Sequence, residues 1–307
     1  AVAYVKEGVA LRESGVKTPI LVLHPQSNNL KLAIQYLLEP SLYSLKLLTE
    51  FEKAAFDCGV TDYPVHIKFN TGLNRLGFRE CDINLVLDSF VESNLLKVRS
   101  VFSHLAASED LNEKEFTENQ LALFQSLSKK FITHFNYPII RHLCNTSGVL
   151  NYPDAHFDMV RCGIGLYGYG NFNKNAHKLT PAASLKSIVS QVFNTASGET
   201  VGYNRGHVCK FDSKIATIPL GHADGIGRQY GNGVGAVFIN HKKANIIGNV
   251  CMDMIMVDVT GIECNEGDEV ILFGPDLPAE EVAEVANTIS YELITGISQR
   301  VMRKFIE

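Results

Sequence analysis

Short apolar runs rich in β-branched residues alternate with amphipathic stretches from residue 1 to residue 170. The strand-like runs are Ala1–Tyr4, Ile20–Leu23, Ser41–Ser44, Val65–Phe69, Leu96–His104, Ile139–Leu143 and Phe157–Ile164. The helix-like stretches are Val5–Ser14, Asn29–Leu38, Leu45–Cys58, Cys81–Glu92 and Glu113–His134. Because strands that alternate with helices at this spacing form βαβ units, the pattern predicts a parallel sheet. The runs carry few polar positions, which indicates that both faces of the sheet are covered.

The number of strand-like runs bears on the type of α/β fold. Seven runs are one fewer than a (β/α)₈ barrel needs, and seven strands would leave the sheet unclosed with two exposed edges. Either an eighth strand lies upstream of Ala1, or the sheet is open and doubly wound. The hydrophobic pattern by itself leaves both arrangements open.

The pattern changes after the polar segment Asn171–Asn175, which we interpret as a linker that Thr180 and Pro181 close. From Ala182 to Gly274 the apolar runs become short and alternating, which predicts β-strands joined by tight turns. One late amphipathic stretch, Ala279–Thr288, predicts a helix. The sequence therefore predicts an α/β domain over residues 1–172 and a β-rich domain over residues 173–307.

Composition narrows the class of protein. The 307 residues are 46% hydrophobic and 20% charged, which is typical of a folded protein with one large or two ordinary cores. A net charge of −5 gives no basic surface for nucleic acid or an anionic membrane. No apolar run approaches the roughly 20 residues of a membrane-spanning helix. The seven cysteines form no CxxC pair, which favours free thiols in a reducing compartment and predicts a soluble cytoplasmic protein.

Candidate chemistry gathers where the predicted strands end. The polar and glycine residues at these ends are Lys68, His104, Thr146, Arg161, Gly163 and Gly165. Taken singly, Lys68 is typical of a lysine that extends to solvent, and Arg161 of a residue that pairs with a nearby acid. Because carboxyl ends of parallel strands share one edge, the four side chains together predict an electropositive rim suited to a phosphate-bearing anion.

Other motifs are missing from the chain. The sequence contains no HExxH, no zinc-ligand spacing and no GxSxG, so no metal is predicted. The glycine-rich stretch Gly221–Gly235 lacks the phosphate-loop pattern and lies in the β-rich part. Met252, Met254 and Met256 alternate with a period of two, and for Met254 and Met256 we expect a strand face that packs into the core.

Several longer motifs resemble the alanine racemase family, pyridoxal-phosphate enzymes that interconvert L- and D-alanine. The resemblance covers essentially the whole chain. The motifs are Val65–Lys68 with Thr71–Phe78, Phe102–Ala106, Arg161–Gly168, Ala216–Gly225 and Val250–Asp253. It implies a (β/α)₈ barrel followed by a β-rich domain, in a head-to-tail homodimer whose sites are each completed by the partner subunit. It also implies a role in supplying D-alanine for peptidoglycan.

The resemblance implies a set of cofactor-binding residues. His104 matches the ring that packs against the pyridine of pyridoxal phosphate. Arg161 matches the residue that faces the pyridine nitrogen and, being always protonated, leaves that nitrogen without a proton. The residues that match the phosphate site are Thr146, Gly163, Ile164 and Tyr291, with Ser147 as a neighbour that also qualifies.

Further roles concern the substrate. Lys68 matches a lysine that is often carbamylated in the family, and its charge would then hold Arg75, which orients the phenolic oxygen of the cofactor and the substrate carboxylate. Tyr203 matches the base that handles the proton on the L-face from across the dimer. Met252 and Asp253 match partner-subunit residues at the substrate carboxylate.

Two departures from the family pattern stand out. His222 occupies a position where the family usually has tyrosine, so the substrate entrance is expected to differ in size and pH response. The lysine that forms the Schiff base and acts on the D-face lies on the family's first barrel strand, and we expect that segment upstream of Ala1. Residues 1–307 alone are therefore expected not to racemise alanine.

Other functions compete with racemisation. The main alternative is a catalytically inactive pyridoxal-phosphate-binding homologue, or a truncated fragment of a larger fusion protein. A single-domain cofactor-homeostasis barrel is disfavoured by the β-rich second half, and a related decarboxylase by the motif around Met252. Because an inactive homologue has no need of Tyr203, Arg75 and Met252, their joint presence favours an enzyme.

Overall fold

The computed structural model describes residues 1–91, 93–170, 179–275 and 277–306. The chain forms two compact units, Ala1–Gly163 and Ile164–Glu307. The predicted linker Asn171–Asn175 lies outside the described residues, as does the predicted boundary between residues 172 and 173. Among the described residues, no helix has both the length and the apolar character needed to cross a membrane.

The first unit is built on a parallel sheet of five strands in the order β1-β2-β3-β4-β5. Its strands are β1 Leu21–Val22, β2 Glu39–Leu42, β3 Tyr63–Lys68, β4 Leu96–Phe102 and β5 Ile140–His142. Its helices are α1 Val5–Glu13, α2 Leu30–Gln35, α3 Leu45–Asp57, α4 Ile83–Val91, α5 Lys114–Ile132 and α6 Thr146–Asn151. The alternation confirms the predicted βαβ pattern, although the short helix α6 was not predicted.

The outermost two of the seven predicted strands are reduced to single bridges. Val2 bridges Val22 on one edge of the sheet, and Met159 bridges His142 on the other, both in parallel. The prediction of a full strand over Phe157–Ile164 is wrong, because Phe157 adopts a left-handed conformation with φ of 51° that interrupts extended chain. The order of the seven segments across the sheet nevertheless follows their order in the sequence.

One face of this sheet packs against the helices in an apolar core. Val65, Ile67 and Phe69 along β3 and just beyond it are fully buried there. In α3 the apolar side chains recur at helical spacing, and the hydroxyl of Ser44 accepts the backbone N–H of Leu47 to cap its first turn. The helix-facing side of the sheet thus has the expected apolar character.

The opposite face of the sheet is also buried, and it carries a row of polar side chains beside the apolar Phe102. The polar side chains on this face that are buried are Ser41, His66, Lys68, Ser100 and His142. A bulge between β3 and β4 creates part of this row, because Val65 pairs with Val98 but His66 pairs with Ser100. The extra residue, Arg99, is exposed. Without that bulge Arg99 would lie opposite His66 and Ser100 would not.

The second unit is antiparallel, as the alternating pattern predicted. Seven strands run in the order β6-β14-β11-β12-β13-β10-β7, and a separate pair joins β8 to β9. The strands are β6 Leu185–Ile188, β7 Gln191–Thr195, β8 Thr200–Val201, β9 His207–Val208, β10 Ser213–Ile218, β11 Ala236–Ile239, β12 Lys242–Ile247, β13 Ile255–Asp258 and β14 Glu269–Phe273. Two helices follow, α7 Ala279–Glu284 and α8 Ser290–Gly296.

Two expectations for this unit need correction. The predicted helix Ala279–Thr288 ends earlier, as α7, and Asn287 with φ of 53° separates it from α8. Met256 is buried as expected, but Met254 is 46% exposed. Met254 precedes β13 and lies in the turn that Cys251 closes by donating its N–H to the Met254 carbonyl. The period-two pattern therefore begins one methionine later than predicted.

Candidate active site

Four predicted site residues of the first unit lie where strands of the parallel sheet end. Lys68 is the last residue of β3, and His104 follows β4 by two residues. Thr146 begins α6 after β5, and Arg161 follows the bridge at Met159. Lys68 and Thr146 are buried, whereas His104 and Arg161 are half-buried. The carboxyl-end edge of the sheet thus carries these side chains, as expected for parallel strands.

Burial and mutual repulsion change the protonation of this group. Burial, followed by the charges of Arg75 and Arg161, lowers the pKa of Lys68 to about 8. Burial, followed by Arg161, Arg75 and Lys68, lowers the pKa of His104 to about 4. The His104 imidazole is therefore neutral at pH 7, and part of the Lys68 amine is unprotonated. Within the described ranges no carboxylate forms an ion pair with Lys68, Arg75 or Arg161. The positive charge of the site therefore favours an anionic ligand.

The acceptors that hold Arg161 among the described residues are all neutral. Its Nη2 donates to the carbonyls of Ser103 at 2.7 Å and Leu143 at 3.0 Å. Its Nη1 donates to Nδ1 of His142 at 2.5 Å. Burial lowers the pKa of Arg161 to about 10, which still leaves a cation at neutral pH. Its Nε–H and second Nη1–H have no partner among the described residues, so they are available to an acceptor on a ligand.

The segment after β5 is built for a close approach of an anion. The hydroxyl of Thr146 accepts the backbone N–H of Gly163 at 3.1 Å, which brings the two predicted phosphate ligands together. A Cβ added to Gly163 would meet no atom within 4 Å, so the backbone there borders open space. Asn145 caps α6 by accepting the N–H of Gly148 at 2.9 Å. The neighbouring Ser147 is buried.

The remaining predicted phosphate ligands belong to the second unit. Ile164 is buried at the start of a 3₁₀ turn, and Tyr291 lies half-buried in α8, where its carbonyl accepts the Thr295 hydroxyl at 2.6 Å. Their assignment to the cofactor phosphate stays a prediction.

Tyr203 lies on a strained loop of the second unit. Its side chain is 73% exposed. Gly202 before it has a φ of 80°, and Asn204 and Arg205 after it have φ values of 57° and 51°. Positive φ is costly for residues other than glycine, and it often marks functional loops. The Asn249 side chain holds the loop by donating to the Tyr203 carbonyl at 3.0 Å.

Met252 and Asp253 lie on the loop that follows Asn249. The backbone N–H of His222 donates to the Cys251 carbonyl at 3.0 Å, and that of Ala223 to the Met252 carbonyl at 3.0 Å. A Cβ on Gly221 would come within 2.4 Å of the Cys251 carbonyl oxygen, so only glycine permits this contact. The structure therefore brings His222 and Met252 into one cluster of loops.

Arg300 fastens this cluster through two carboxylates. Its Nε and Nη2 donate to the carboxylate of Asp224 at 2.6 and 2.9 Å, and Nη2 also donates to Asp253 at 2.6 Å. The hydrogen bond from Arg300 holds the pKa of the Asp224 carboxyl below its ordinary value. Asp253, a predicted substrate ligand, is thus oriented by a residue that the sequence analysis did not single out.

Sequence reasoning also missed the polar residues behind Arg161. The missed residues are His66 on β3, Ser100 on β4 and His142 on β5. His66 precedes the predicted Lys68 by two residues and therefore shares its face of the strand. That period-two pattern was a usable signal for a buried polar row. Arg300 offered no comparable signal, because its partner Asp224 is 76 residues away.

Comparison with known proteins places these observations in a family. Residues 1–171 match the family model "Alanine racemase, N-terminal domain", and residues 182–305 match "Alanine racemase, C-terminal domain". The chain is 35% identical to "Alanine racemase 1" of Clostridium acetobutylicum, over all of this chain and 81% of the relative. It is also 35% identical to the alanine racemase of Thermodesulfovibrio yellowstonii, over 99% of this chain and 81% of that one.

Solved structures agree with the sequence comparison. The alanine racemase from D-cycloserine-producing Streptomyces lavendulae superposes with a TM-score of 0.90 at 28% identity, covering 97% of this chain and 81% of that one. The enzyme from Bartonella henselae, which has covalently bound pyridoxal phosphate, superposes with a TM-score of 0.88 at 27% identity, covering 99% and 85%. These findings confirm the predicted fold class, an α/β barrel-type unit followed by a β-rich unit. The chain belongs to the alanine racemase family.

Proposed function

We propose that this protein is a pyridoxal-phosphate-dependent alanine racemase that interconverts L- and D-alanine. The observation that carries the proposal is the surroundings of Arg161. This cation has no carboxylate partner among the described residues and keeps two N–H donors unused, beside the neutral ring of His104. Such a site suits an aromatic ligand that carries both a ring nitrogen and an anionic group.

The residues of the first unit fit this cofactor. Pyridoxal phosphate, when bound, withdraws electrons from the amino acid and makes its Cα proton acidic. Thr146 and the Gly163 backbone would hold the phosphate, and His104 would lie against the ring. Arg161 can donate to the ring nitrogen but cannot give up its proton, so it keeps that nitrogen unprotonated. The electron withdrawal is then weaker, which limits side reactions.

Lys68 and Arg75 would serve the substrate side of the site. A lysine with a pKa of about 8 has a substantial neutral fraction at pH 7–8, and a neutral amine adds CO₂ with loss of a proton to form a carbamate. The negative charge gained would offset the repulsion that Lys68 now meets from Arg75 and Arg161. Arg75, which is exposed, would bind the substrate carboxylate.

Tyr203, Met252 and Asp253 would act from the partner subunit of a homodimer. Tyr203 projects from its loop with most of its surface exposed in the single chain, as expected for a residue that completes a neighbour's site. It would remove or return the proton on the L-face of the substrate Cα. His222, hydrogen-bonded through its backbone to the Cys251 carbonyl, would line the substrate entrance.

Tyr203→Phe in the gene-encoded protein tests this assignment. Because loss of a general base typically costs about 10²–10⁴-fold, L-to-D turnover should fall by that factor while affinity for pyridoxal phosphate stays nearly unchanged. Tyr36→Phe is the control, since its hydroxyl bonds Glu13 at 3.2 Å on the outside of the first unit. Turnover within about twofold of wild type would remove Tyr203 from the role of base. A wild-type protein that neither binds the cofactor nor racemises alanine would overturn the proposed function.

A further inference from the structure

A chain of four hydrogen bonds crosses the polar face of the first unit's sheet from Glu39 to Arg161. The Glu39 carboxylate lies 2.9 Å from Nε2 of His66, and Nδ1 of His66 lies 2.6 Å from the Ser100 hydroxyl. That hydroxyl lies 2.8 Å from Nε2 of His142, whose Nδ1 lies 2.5 Å from Nη1 of Arg161. The bulge that pairs His66 with Ser100 is what places the middle of the chain in register.

When both imidazole rings are neutral, the two ends of the hydrogen-bond chain allow only one direction of donation. Arg161 can only donate, so Nδ1 of His142 is an acceptor and Nε2 carries the proton. That N–H donates to Ser100, which therefore donates its own hydrogen to Nδ1 of His66. The proton of His66 is then on Nε2, where it meets Glu39, a carboxylate that can only accept. Each polar atom in the series thus has one partner of the right kind.

The hydrogen-bond chain is buried, and the His142 ring within it is uncharged. Burial, with further contributions from Arg161 and His66, lowers the pKa of His142 to about 2, so its ring stays neutral. His142 and Ser100 are fully buried, and the side chains of His66 and Glu39 are 6% and 13% exposed. The hydrogen-bond chain thus links the Arg161 cation to a distant carboxylate through buried side chains, and Phe102 packs against the His142 ring with centroids 4.8 Å apart.

We propose that Glu39, His66, Ser100 and His142 are positioning residues that fix the orientation of Arg161 towards the cofactor. The inference rests on the proposed function. With Nη1 committed to His142 and Nη2 committed to backbone carbonyls, rotation of the guanidinium would break these hydrogen bonds, and its Nε–H and remaining Nη1–H have no partner among the described residues. If the hydrogen bonds ran in the opposite direction, an N–H of His142 would face an N–H of Arg161 and displace the guanidinium. A displaced arginine would let the ring nitrogen take a proton from water, which favours side reactions over racemisation.

The direction of the chain can be tested in the cofactor-free protein. Long-range ¹H–¹⁵N spectra of histidine-labelled protein report which ring nitrogen carries the proton. We expect both His66 and His142 to carry it on Nε2 at pH 7. A proton on Nδ1 of either ring would overturn the proposal, whatever the catalytic activity. Glu39→Leu should move part of the His66 population to the Nδ1 tautomer, whereas Glu39→Gln, whose amide oxygen still accepts, should not.

The functional part is tested by Ser100→Ala against a matched variant. Ser41→Ala removes another fully buried hydroxyl from the same sheet, one that donates to the Leu23 carbonyl at 2.8 Å and takes no part in the chain. Ser100→Ala should lower kcat about 3- to 10-fold with KM little changed and raise the ratio of transamination to racemisation, while Ser41→Ala should change neither. Ser100→Thr, which keeps the hydroxyl, should restore both values.

The outcomes separate this proposal from the proposed function. A wild-type enzyme that racemises alanine while Ser100→Ala and Ser41→Ala behave alike would overturn the positioning role and leave the function standing. A wild-type protein without racemase activity would overturn the function, and the histidine tautomers would still report the direction of the chain. If Ser100→Ala does not fold, Glu39→Leu provides the same kinetic comparison, with unchanged partition ratios again counting against the proposal.

Discussion

Arg161 in the first unit and Arg300 in the second show two ways of placing an arginine near a functional residue. Arg161 is held by two carbonyls and a neutral imidazole, and burial lowers its pKa to about 10. Arg300 binds the carboxylates of Asp224 and Asp253, and the hydrogen bond that it donates to Asp224 raises its pKa. The charge of Arg300 is therefore compensated by carboxylates, whereas no carboxylate among the described residues pairs with Arg161.

We expect this difference to separate an arginine that binds a ligand from one that fastens loops. An uncompensated, partly desolvated cation costs stability, and a bound anion or acceptor recovers that cost. A cation already paired with two carboxylates gains little from a ligand but links segments that are far apart in sequence. We therefore expect Arg161 to affect mainly catalysis and Arg300 mainly the stability of the loops that carry Asp253.

The largest effect is expected from Arg161→Met. Loss of a preorganised donor at the reacting ligand should lower kcat/KM by about 10²–10³-fold. The free energy of unfolding of the cofactor-free protein should change by no more than about 1 kcal/mol, because the lost hydrogen bonds are offset by relief of the desolvated charge. Racemisation kinetics and urea unfolding measure the two quantities. A loss of activity below about fivefold, or unfolding of the variant at a much lower urea concentration than wild type, would show that Arg161 acts mainly on stability, as Arg300 is expected to do.

A smaller effect concerns acid stability of the first unit. His142 has its pKa lowered to about 2, so below its ordinary value of 6.5 the unfolded chain binds a proton that the folded chain does not. The free energy of unfolding should therefore fall as pH drops from about 6.5, with a slope of up to about 1.4 kcal/mol per pH unit. Urea unfolding at several pH values measures the slope.

The matched variants for this slope are His142→Gln and His134→Gln. The first removes the buried ring and should make the pH dependence shallower, while the second removes an exposed ring at the end of α5 and should leave it as in wild type. Equal slopes in the two variants would contradict the neutral, buried state of His142 on which its link to Arg161 depends.

The smallest effect is expected from Arg300→Met. Asp224 is 8% exposed and would lose its partner, but Arg300 is 47% exposed and solvent screens the pair. Tm should fall by about 2–4 °C at pH 7. Because the pKa of Asp224 is lowered, the stabilisation is present above its ordinary pKa of 3.8 and is lost as pH falls through the folded-state value. The difference from wild type should therefore shrink in strong acid, and Asp224→Asn combined with Arg300→Met should recover part of Tm. A variant as stable as wild type at pH 7 would contradict the loop-fastening role.

The strand-end residues could be predicted because their placement follows from local pattern and one topological rule. Once Val65–Phe69 and Ile139–Leu143 are recognised as parallel strands, Lys68 and Thr146 must lie at the same edge of the sheet. The prediction of a strand over Phe157–Ile164 was wrong for a local reason that composition does not reveal, namely the left-handed backbone at Phe157. The prediction that Met254 packs into the core was wrong because this residue lies in a turn and not in a strand.

By itself, the sequence determined the order of the elements, the change from parallel to antiparallel architecture, and the family motifs that name Arg161 and Tyr203. Only the tertiary structure decided the surroundings of these residues. The bulge at Arg99 sets Ser100 opposite His66, and Arg300 binds Asp224, which lies 76 residues earlier in the sequence. Hydrophobic periodicity specifies which face a residue takes within its own element. Register shifts and partners distant in the chain depend on how the elements pack together, and this packing establishes the hydrogen bonds that hold the two arginines.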